Sequence, residues 1–141
     1  MQNNENKISQ YDAIGGEEKL KFLVDRFYDI MDSSPEVGKI RALHPKSLKM
    51  SREKLFMFLS GVFGGPNLYW EKYGHPRLRK KHMPFPIGTE ERDQWLWCMK
   101  EAVEESSFSA KLSEELMIFF VDTANHMMNS ENSPNPFKLR P

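Results

Sequence analysis

Residues 74–87 read GHPRLRKKHMPFPI, and the proline- and glycine-rich stretch around them, 64–90, decides what kind of helical protein this is. The stretch holds four prolines, at positions 66, 76, 84 and 86, and four of the chain's eight glycines. Because proline and glycine interrupt helices, it is predicted to be mostly loop, with room for one short helix between Pro76 and Met83. A packed helical domain rarely spends so many residues on a connection unless that connection has a function.

Apolar residues recur at helical spacing on both sides of this stretch. They predict four main helices, around residues 20–31, 55–62, 89–103 and 112–128. The third is predicted to begin with Thr89 as its cap, because two acidic residues follow in the first turn. No segment alternates with a period of two, so the predicted fold class is all-α.

The chain has 141 residues, which is the size of one domain. Residues 1–10 are polar and are expected to form a flexible tail, 11–129 the domain, and 130–141 a loose tail. The longest apolar run, 116–121, is six residues, far short of a membrane span, and the N-terminus has no apolar core for a signal peptide. These features predict a cytoplasmic protein.

Charge and cysteine content argue against several classes of function. Lys plus Arg and Asp plus Glu are both 20, so the chain lacks the overall positive charge of most proteins that bind nucleic acid or anionic membranes. The single cysteine, Cys98, excludes an internal disulfide framework and a cysteine-cluster zinc site. The sequence also has no phosphate-binding glycine motif, no serine nucleophile elbow and no HExxH pair.

Four histidines remain, His44, His75, His82 and His126, and none lies three or four residues from another. No helix can therefore present a pair of histidines to one metal ion. A single axial histidine is what haem iron requires, because the porphyrin supplies the other four nitrogen ligands.

His82 is the best placed of the four. The basic residues before it could face two propionates, and the apolar residues after it could line a porphyrin face. Spacing alone also allows a solvated basic loop with an incidental histidine, and that plainer interpretation is the more common one. Tyr28 and Trp95 lie beside or on buried helical stripes, where packing in the core is the simpler explanation and a hydrogen bond to a ligand is the alternative.

Ordered motifs along the chain carry a more specific indication. They are YDAIGG at 11–16, LVDRFY at 23–28, KLFMFLSGVFGGP at 54–66, GHPRLR at 74–79, HMPFPI at 82–87 and RDQW at 92–95. Together they resemble the truncated haemoglobins of group II over about residues 11–129. This resemblance implies a two-over-two helical sandwich around haem b.

The resemblance also implies roles for individual residues. His82 is expected to be the proximal iron ligand, with its other ring N–H donating to a backbone carbonyl. Tyr28 and Trp95 are expected to donate hydrogen bonds to a gas bound on the distal side. His44 either donates to the same ligand or binds iron directly, so His44 or Tyr28 is the candidate sixth ligand. The connection around residues 33–38 is longer than in shorter family members, which would give these side chains reach.

Further positions match haem-contacting positions of the family. They are Ser51, Lys54, Leu55, Phe58, Tyr69, Arg79, Lys81, Phe85 and Ile87. Lys54 is expected to pair with a propionate. Lys81 stands where arginine is expected, which keeps the charge but loses bidentate geometry, so Arg79 is a second candidate for that pairing.

The implied function is binding of dioxygen, nitric oxide and carbon monoxide at haem iron. Several donors imply slow release, which favours redox chemistry or detoxification of reactive nitrogen and oxygen species over oxygen transport. Nitric oxide dioxygenase or peroxidase-like activity would require a separate, unidentified reductase, because the chain has no flavin or nicotinamide domain. The alternative is a non-catalytic oxygen or nitric oxide carrier or sensor. The plainest interpretation, a haem-free helical interaction protein, does not account for the motifs.

Overall fold

The computed structural model describes residues 8–129, and in that range the chain is helical and without strands. The helices are α1 (Gln10–Ile14), α2 (Gly16–Ser33), α3 (Gly38–Ala42), α4 (Lys49–Val62), α5 (Leu68–Tyr73), α6 (Leu78–His82), α7 (Thr89–Glu105) and α8 (Ala110–Met127), with a 3₁₀ turn at Pro35–Val37. The predicted all-α class is confirmed. The predicted tails lie outside the described residues at 1–7 and 130–141, and Ser9 caps α1 within the described range.

The four long helices, α2, α4, α7 and α8, correspond to the four predicted helical stripes. Helix α2 packs against both α4 and α7, and α7 packs against α8. This places one helix pair over the other, as the two-over-two prediction requires. None of the helices among residues 8–129 is long and apolar enough to cross a bilayer.

The core lies between these layers. Leu20, Leu23 and Phe27 of α2 follow one another at helical spacing and are each 0% exposed, as are Met99 of α7 and Leu116 of α8. Full burial of one such side chain contributes about 1.5–3 kcal/mol. The apolar stripe therefore fixes which face of α2 points inward.

Two glycines allow the first helix to lie against the end of α4. Gly15 joins α1 to α2 at a φ of 120°, a conformation that favours glycine. A Cβ added at Gly65 would lie 2.4 Å from the Tyr11 ring, and the Tyr11 N–H donates to the carbonyl of Phe63 at 2.8 Å. The GG motifs at 15–16 and 64–65 therefore have a direct packing purpose.

Two details of the sequence prediction are wrong. The stretch 64–90 holds two short helices rather than one: α6 falls between Pro76 and Met83 as predicted, but α5 was not expected. Helix α7 is capped by Gly88 rather than Thr89, because the Glu91 carboxylate accepts the Gly88 N–H at 3.0 Å. The acidic residue in the first turn supplies the cap instead of the threonine hydroxyl.

Candidate functional site

One side of the site is formed around Tyr28, on the inner face of α2. Its side chain is 5% exposed and meets Phe27 and His44 edge-on, with ring centroids 4.8 and 5.8 Å away. The guanidinium of Arg52 lies 5.9 Å from the Tyr28 ring centroid. Among residues 8–129 the Tyr28 hydroxyl has no hydrogen-bond partner, although buried hydroxyls are normally paired. Burial raises the pKa of Tyr28, so the hydroxyl stays protonated and can donate.

Trp95, on α7, reaches the same region through a shared neighbour. Its ring packs edge-on against Phe27 at 5.0 Å and Phe120 at 5.8 Å, and the side chain is only partly buried. Its indole N–H likewise has no acceptor within the described part of the chain. Phe27 thus contacts the rings of both Tyr28 and Trp95, whose hydrogen-bond donors have no acceptor among residues 8–129.

The ring orientation of His44 follows from one hydrogen bond. Its Nδ1 lies 2.9 Å from the carbonyl oxygen of Ile40, which can only accept, so Nδ1 carries the proton. Burial, reinforced by the positive charge of Arg41, lowers the pKa of His44, while the bond to Ile40 opposes that shift. A neutral His44 therefore presents a lone pair at Nε2.

His82 ends α6 and has the same arrangement. Its Nδ1 lies 2.6 Å from the carbonyl oxygen of Leu78, one turn earlier, so Nδ1 donates to that carbonyl and Nε2 is the ring nitrogen left for a metal. The predicted hydrogen bond from this ring to a backbone carbonyl is confirmed. Such a bond fixes the tautomer and the orientation of a metal-binding histidine.

The end of α8 holds this segment in place. Asn129 donates through Nδ2 to the carbonyl of His82 at 3.0 Å, accepts the Ile87 N–H at Oδ1, and donates its own N–H to the Ile87 carbonyl at 2.8 Å. Arg79 donates through Nη1 to the carbonyls of His126 and Met128. The sequence analysis assigned no role to Asn129, because nothing local to position 129 signals a partner 42 to 47 residues away.

The apolar side chains predicted to contact haem differ in how far the fold covers them. Leu55 and Phe58 of α4 are partly buried against the core, whereas Leu59 on the next position is 1% exposed. Phe85 is 43% exposed and Ile87 only 7%. Ser51 is also partly buried, at the first turn of α4. Leu55 and Phe58 therefore keep apolar surface on α4 that the core does not cover completely.

Two lysines lie against the rings of Tyr69 and Tyr73, whose centroids are 4.9 Å apart and whose planes are tilted by 45°. Lys81 donates to the Tyr69 hydroxyl at 2.9 Å. The ammonium group of Lys54 lies 5.4 Å from the Tyr73 ring centroid. Neither lysine has a carboxylate partner within residues 8–129. We call Lys54, Lys81, Tyr69 and Tyr73 the lysine–tyrosine cluster.

Comparison with known proteins identifies the family. The sequence profile of the bacterial-like globins matches residues 9–129. The chain belongs to the bacterial-like globin family. The group 2 truncated hemoglobin YjbI of Bacillus subtilis is 42% identical over 119 residues, covering 84% of this chain and 87% of that protein.

Solved structures agree with this assignment. The group II 2-on-2 hemoglobin of Agrobacterium tumefaciens matches with a TM-score of 0.87 and 42% identity, over 93% of this globin and all of that chain. The truncated oxygen-avid haemoglobin of Bacillus subtilis matches with a TM-score of 0.79 and 41% identity, over 86% of this globin and 100% of that chain. This globin is therefore a truncated haemoglobin of group II, with the two-over-two fold and the haem- and gas-binding character of its family.

The residues present fit a haem. Tyr28 has a buried hydroxyl without a hydrogen-bond partner among residues 8–129, His82 has its Nε2 left for a metal, and the lysine–tyrosine cluster offers two ammonium groups for two propionates. No group of three or more His, Cys, Asp or Glu side chains among residues 8–129 is arranged to hold a bare metal ion. A porphyrin that brings its own four nitrogens is the form of iron that these residues suit.

Proposed function

We propose that this globin binds haem b, holds dioxygen at the iron with protein hydrogen-bond donors, and uses it in redox chemistry on reactive nitrogen or oxygen species. The observation that carries the proposal is the buried Tyr28 hydroxyl with no protein partner among the described residues. A buried hydroxyl without a hydrogen-bond partner lowers the stability of the fold unless a ligand bonds to it. We therefore assign the Tyr28 hydroxyl to ligand binding.

His82 would hold the haem through Nε2, with its ring fixed by Leu78. Leu55, Phe58, Phe85 and Ile87 would line the porphyrin faces, with Ser51 and Tyr69 at its edges. Lys54 and Lys81 are the favoured propionate partners, because both lie in the lysine–tyrosine cluster. Arg79 already serves two carbonyls at the end of α8, which favours Lys81 over Arg79 for the second propionate.

When bound, haem supplies an iron that takes dioxygen, nitric oxide or carbon monoxide and can turn nitric oxide plus dioxygen into nitrate. Tyr28 and Trp95 would donate to the gas, which carries partial negative charge when it is dioxygen. Each neutral hydrogen bond is worth about 1 kcal/mol, or roughly fivefold in affinity. Two such donors predict slow release, in keeping with a relative whose name describes it as oxygen-avid.

His44 has a different role in this proposal. With Nδ1 donating to Ile40, neutral His44 has no N–H left for a bound gas, so it acts through its Nε2 lone pair. It is therefore the favoured candidate for the sixth iron ligand. Tyr28 is the weaker candidate, because its raised pKa keeps the hydroxyl protonated.

Slow release favours turnover over transport, and nitric oxide dioxygenation or a peroxidase-like reaction fits hydrogen-bond donors held beside the bound gas. Dioxygenation leaves ferric iron, so a separate reductase is part of the proposal, as is a cytoplasmic location. The second candidate is a carrier or sensor without turnover, which the same donors would serve. Nitrate formed per nitric oxide consumed, measured with dioxygen and a chemical reductant, separates the two.

The direct test of the distal assignment is the dioxygen dissociation rate of the holoprotein, measured by stopped flow. Trp95→Leu should release dioxygen about fivefold faster, since one hydrogen bond is lost. Trp97→Leu is the matched control, because Trp97 lies on the same helix but points outward and is 42% exposed. Equal rates for the two variants would remove Trp95 from the site.

A further inference from the structure

The neutral total charge of this globin conceals two strongly charged parts. Residues 44–89 contain nine Lys or Arg and two Asp or Glu, a net charge of +7. The remaining residues contain 11 Lys or Arg and 18 Asp or Glu, a net charge of −7. The positive segment runs from His44 through α4, α5 and α6 to the start of α7. It therefore contains His44 and His82, the two histidines that are candidate iron ligands.

Most basic side chains of the positive segment also form no ion pair with a carboxylate among residues 8–129. Of its nine basic side chains, Arg52 is the one with a carboxylate partner among residues 8–129, through Asp25 and Asp29. In the negative part, most described basic side chains sit in ion pairs: Lys21, Arg26, Lys39, Arg41, Arg92 and Lys100. The field of residues 44–89 is therefore directed at solvent and not cancelled within the fold.

The two propionates of a haem would neutralise only two of the positive charges in residues 44–89. Lys54 and Lys81, in the lysine–tyrosine cluster, would meet the two carboxylates. Lys72, Arg77 and Lys80 are exposed and have no carboxylate partner in the described part of the chain. Lys72 lies over the Tyr73 ring at 5.4 Å, which places it beside the cluster. Exposed positive charge thus extends beyond the lysine–tyrosine cluster.

Exposed apolar side chains accompany these charges. Trp70 of α5 is 48% exposed and Met83, next to His82, is 54% exposed. Apolar contacts with a charged rim are typical of small, transient protein interfaces. Helices α5 and α6 have six and five residues, too short for the amphipathic helix that usually lies on a membrane. We call Trp70, Lys72, Arg77, Lys80 and Met83 the basic face.

We propose that the basic face docks an acidic one-electron-donor protein of the [2Fe–2S] ferredoxin or flavodoxin class. The inference rests on the proposed function, which requires a separate reductase. One electron leaves the partner's reduced centre and converts ferric to ferrous iron, so the partner is oxidised by one electron and no bond is made or broken. Lys80 and Met83 lie within two residues of His82, so docking there would bring the partner's centre close to the candidate iron ligand.

The test compares two variants with the same change in total charge, from 0 to −4. Lys72→Glu/Lys80→Glu reverses the basic face, and Lys19→Glu/Lys111→Glu reverses two exposed lysines of the negative part that have no ion pair among residues 8–129. The haem-loaded proteins are titrated with an acidic plant-type [2Fe–2S] ferredoxin by calorimetry at 20 and 500 mM NaCl. Haem reduction by reduced ferredoxin and by sodium dithionite is followed in parallel.

The basic-face variant should bind ferredoxin about tenfold more weakly than the parent at low salt, and the difference should shrink to about twofold or less at high salt. The control should weaken binding far less. Equal loss in both variants, or no binding by the parent, would overturn the proposal. So would capture by phosphatidylglycerol vesicles or duplex DNA, in place of ferredoxin, that is lost in the basic-face variant.

Failure of the proposed function would be recognised separately. If dithionite-reduced protein forms no nitrate from nitric oxide and dioxygen, the dioxygenase proposal fails whatever ferredoxin does. If nitrate forms with dithionite but ferredoxin neither binds nor reduces the haem, the docking proposal alone fails. Equal dithionite reduction of parent and variants shows that the charge reversals leave the haem site intact.

Discussion

Tyr28→Phe should change stability and ligand affinity in opposite directions. The substitution removes one oxygen from a side chain that is 5% exposed and whose hydroxyl has no partner among residues 8–129. Burying an unpaired hydroxyl costs about 1–3 kcal/mol. The haem-free protein should therefore gain about 1 kcal/mol or more of unfolding free energy, which corresponds to a Tm rise of roughly 2–4 °C.

The haem-loaded protein should instead hold dioxygen less tightly. Loss of one hydrogen bond to bound dioxygen removes about 1 kcal/mol, so dioxygen should leave about fivefold faster. Urea unfolding of the haem-free protein and stopped-flow dioxygen release of the holoprotein measure the two effects. The combination is diagnostic, because a tyrosine that merely packs in the core would affect stability alone.

Tyr69→Phe is the matched control for stability. The Tyr69 hydroxyl accepts from Lys81 at 2.9 Å, so its removal breaks a protein hydrogen bond and should cost about 0.5–1.5 kcal/mol in the haem-free protein. If Tyr28→Phe destabilised the haem-free protein as Tyr69→Phe does, the Tyr28 hydroxyl would have a partner within the fold. Unchanged dioxygen release would likewise refute its distal role.

Three further predictions test other parts of the structure. Gly65→Ala should destabilise the fold by about 1–3 kcal/mol, because the added Cβ would lie 2.4 Å from the Tyr11 ring. Gly38→Ala is the control and should leave stability unchanged, because a Cβ at Gly38 would meet nothing within 4 Å. Equal unfolding curves for the two variants would contradict this packing. Burial raises the pKa of Cys98 to about 12, so a disulfide reagent should leave the native thiol unmodified at pH 8, and labelling as fast as in urea would show that the thiol is accessible. His44→Leu should convert a six-coordinate ferrous spectrum without gas into a five-coordinate one, and a parent already five-coordinate and aquo-ferric would exclude His44 as the sixth ligand.

The spacing of apolar residues and the positions of proline and glycine predicted much of this fold. The apolar stripes of α2, α4, α7 and α8 are visible in the sequence because each long helix buries one face. Helix α5 escaped prediction because six residues between Pro66 and Gly74 are too few to show a period. The cap at Gly88 was missed because the Glu91 side chain performs a role that local preference assigns to threonine.

The candidate site, like the fold, could be predicted from the sequence only in part. The motifs indicated His82, Tyr28 and Trp95, and these side chains have free groups suited to the predicted roles. The proton on Nδ1 of His44 could not be predicted, because it depends on where the Ile40 carbonyl points. Asn129 was missed for a related reason, since its partners lie far away in sequence.

Total charge was the least informative part of the sequence. A net charge of zero argued against binding of nucleic acid or anionic membranes, yet residues 44–89 carry +7 and the remainder −7. Whether those charges cancel depends on ion pairs between elements, and in this fold the acidic residues pair mainly with the basic residues of their own part. Segment charge together with pairing therefore describes the surface better than the sum does.

The role of His82 as the residue that holds a haem on this scaffold is the point on which the proposed function depends. Absorption spectra of ferric, ferrous and ferrous–carbon monoxide protein test it most directly, recorded for the parent, His82→Gly and His126→Gly. Both histidines lie at the end of a helix, α6 and α8, so the helical cost of glycine is matched. We predict a Soret band that shifts with carbon monoxide in the parent and in His126→Gly, and that weakens or changes coordination in His82→Gly. No Soret band in the haem-reconstituted parent, or unchanged spectra in His82→Gly, would contradict the account.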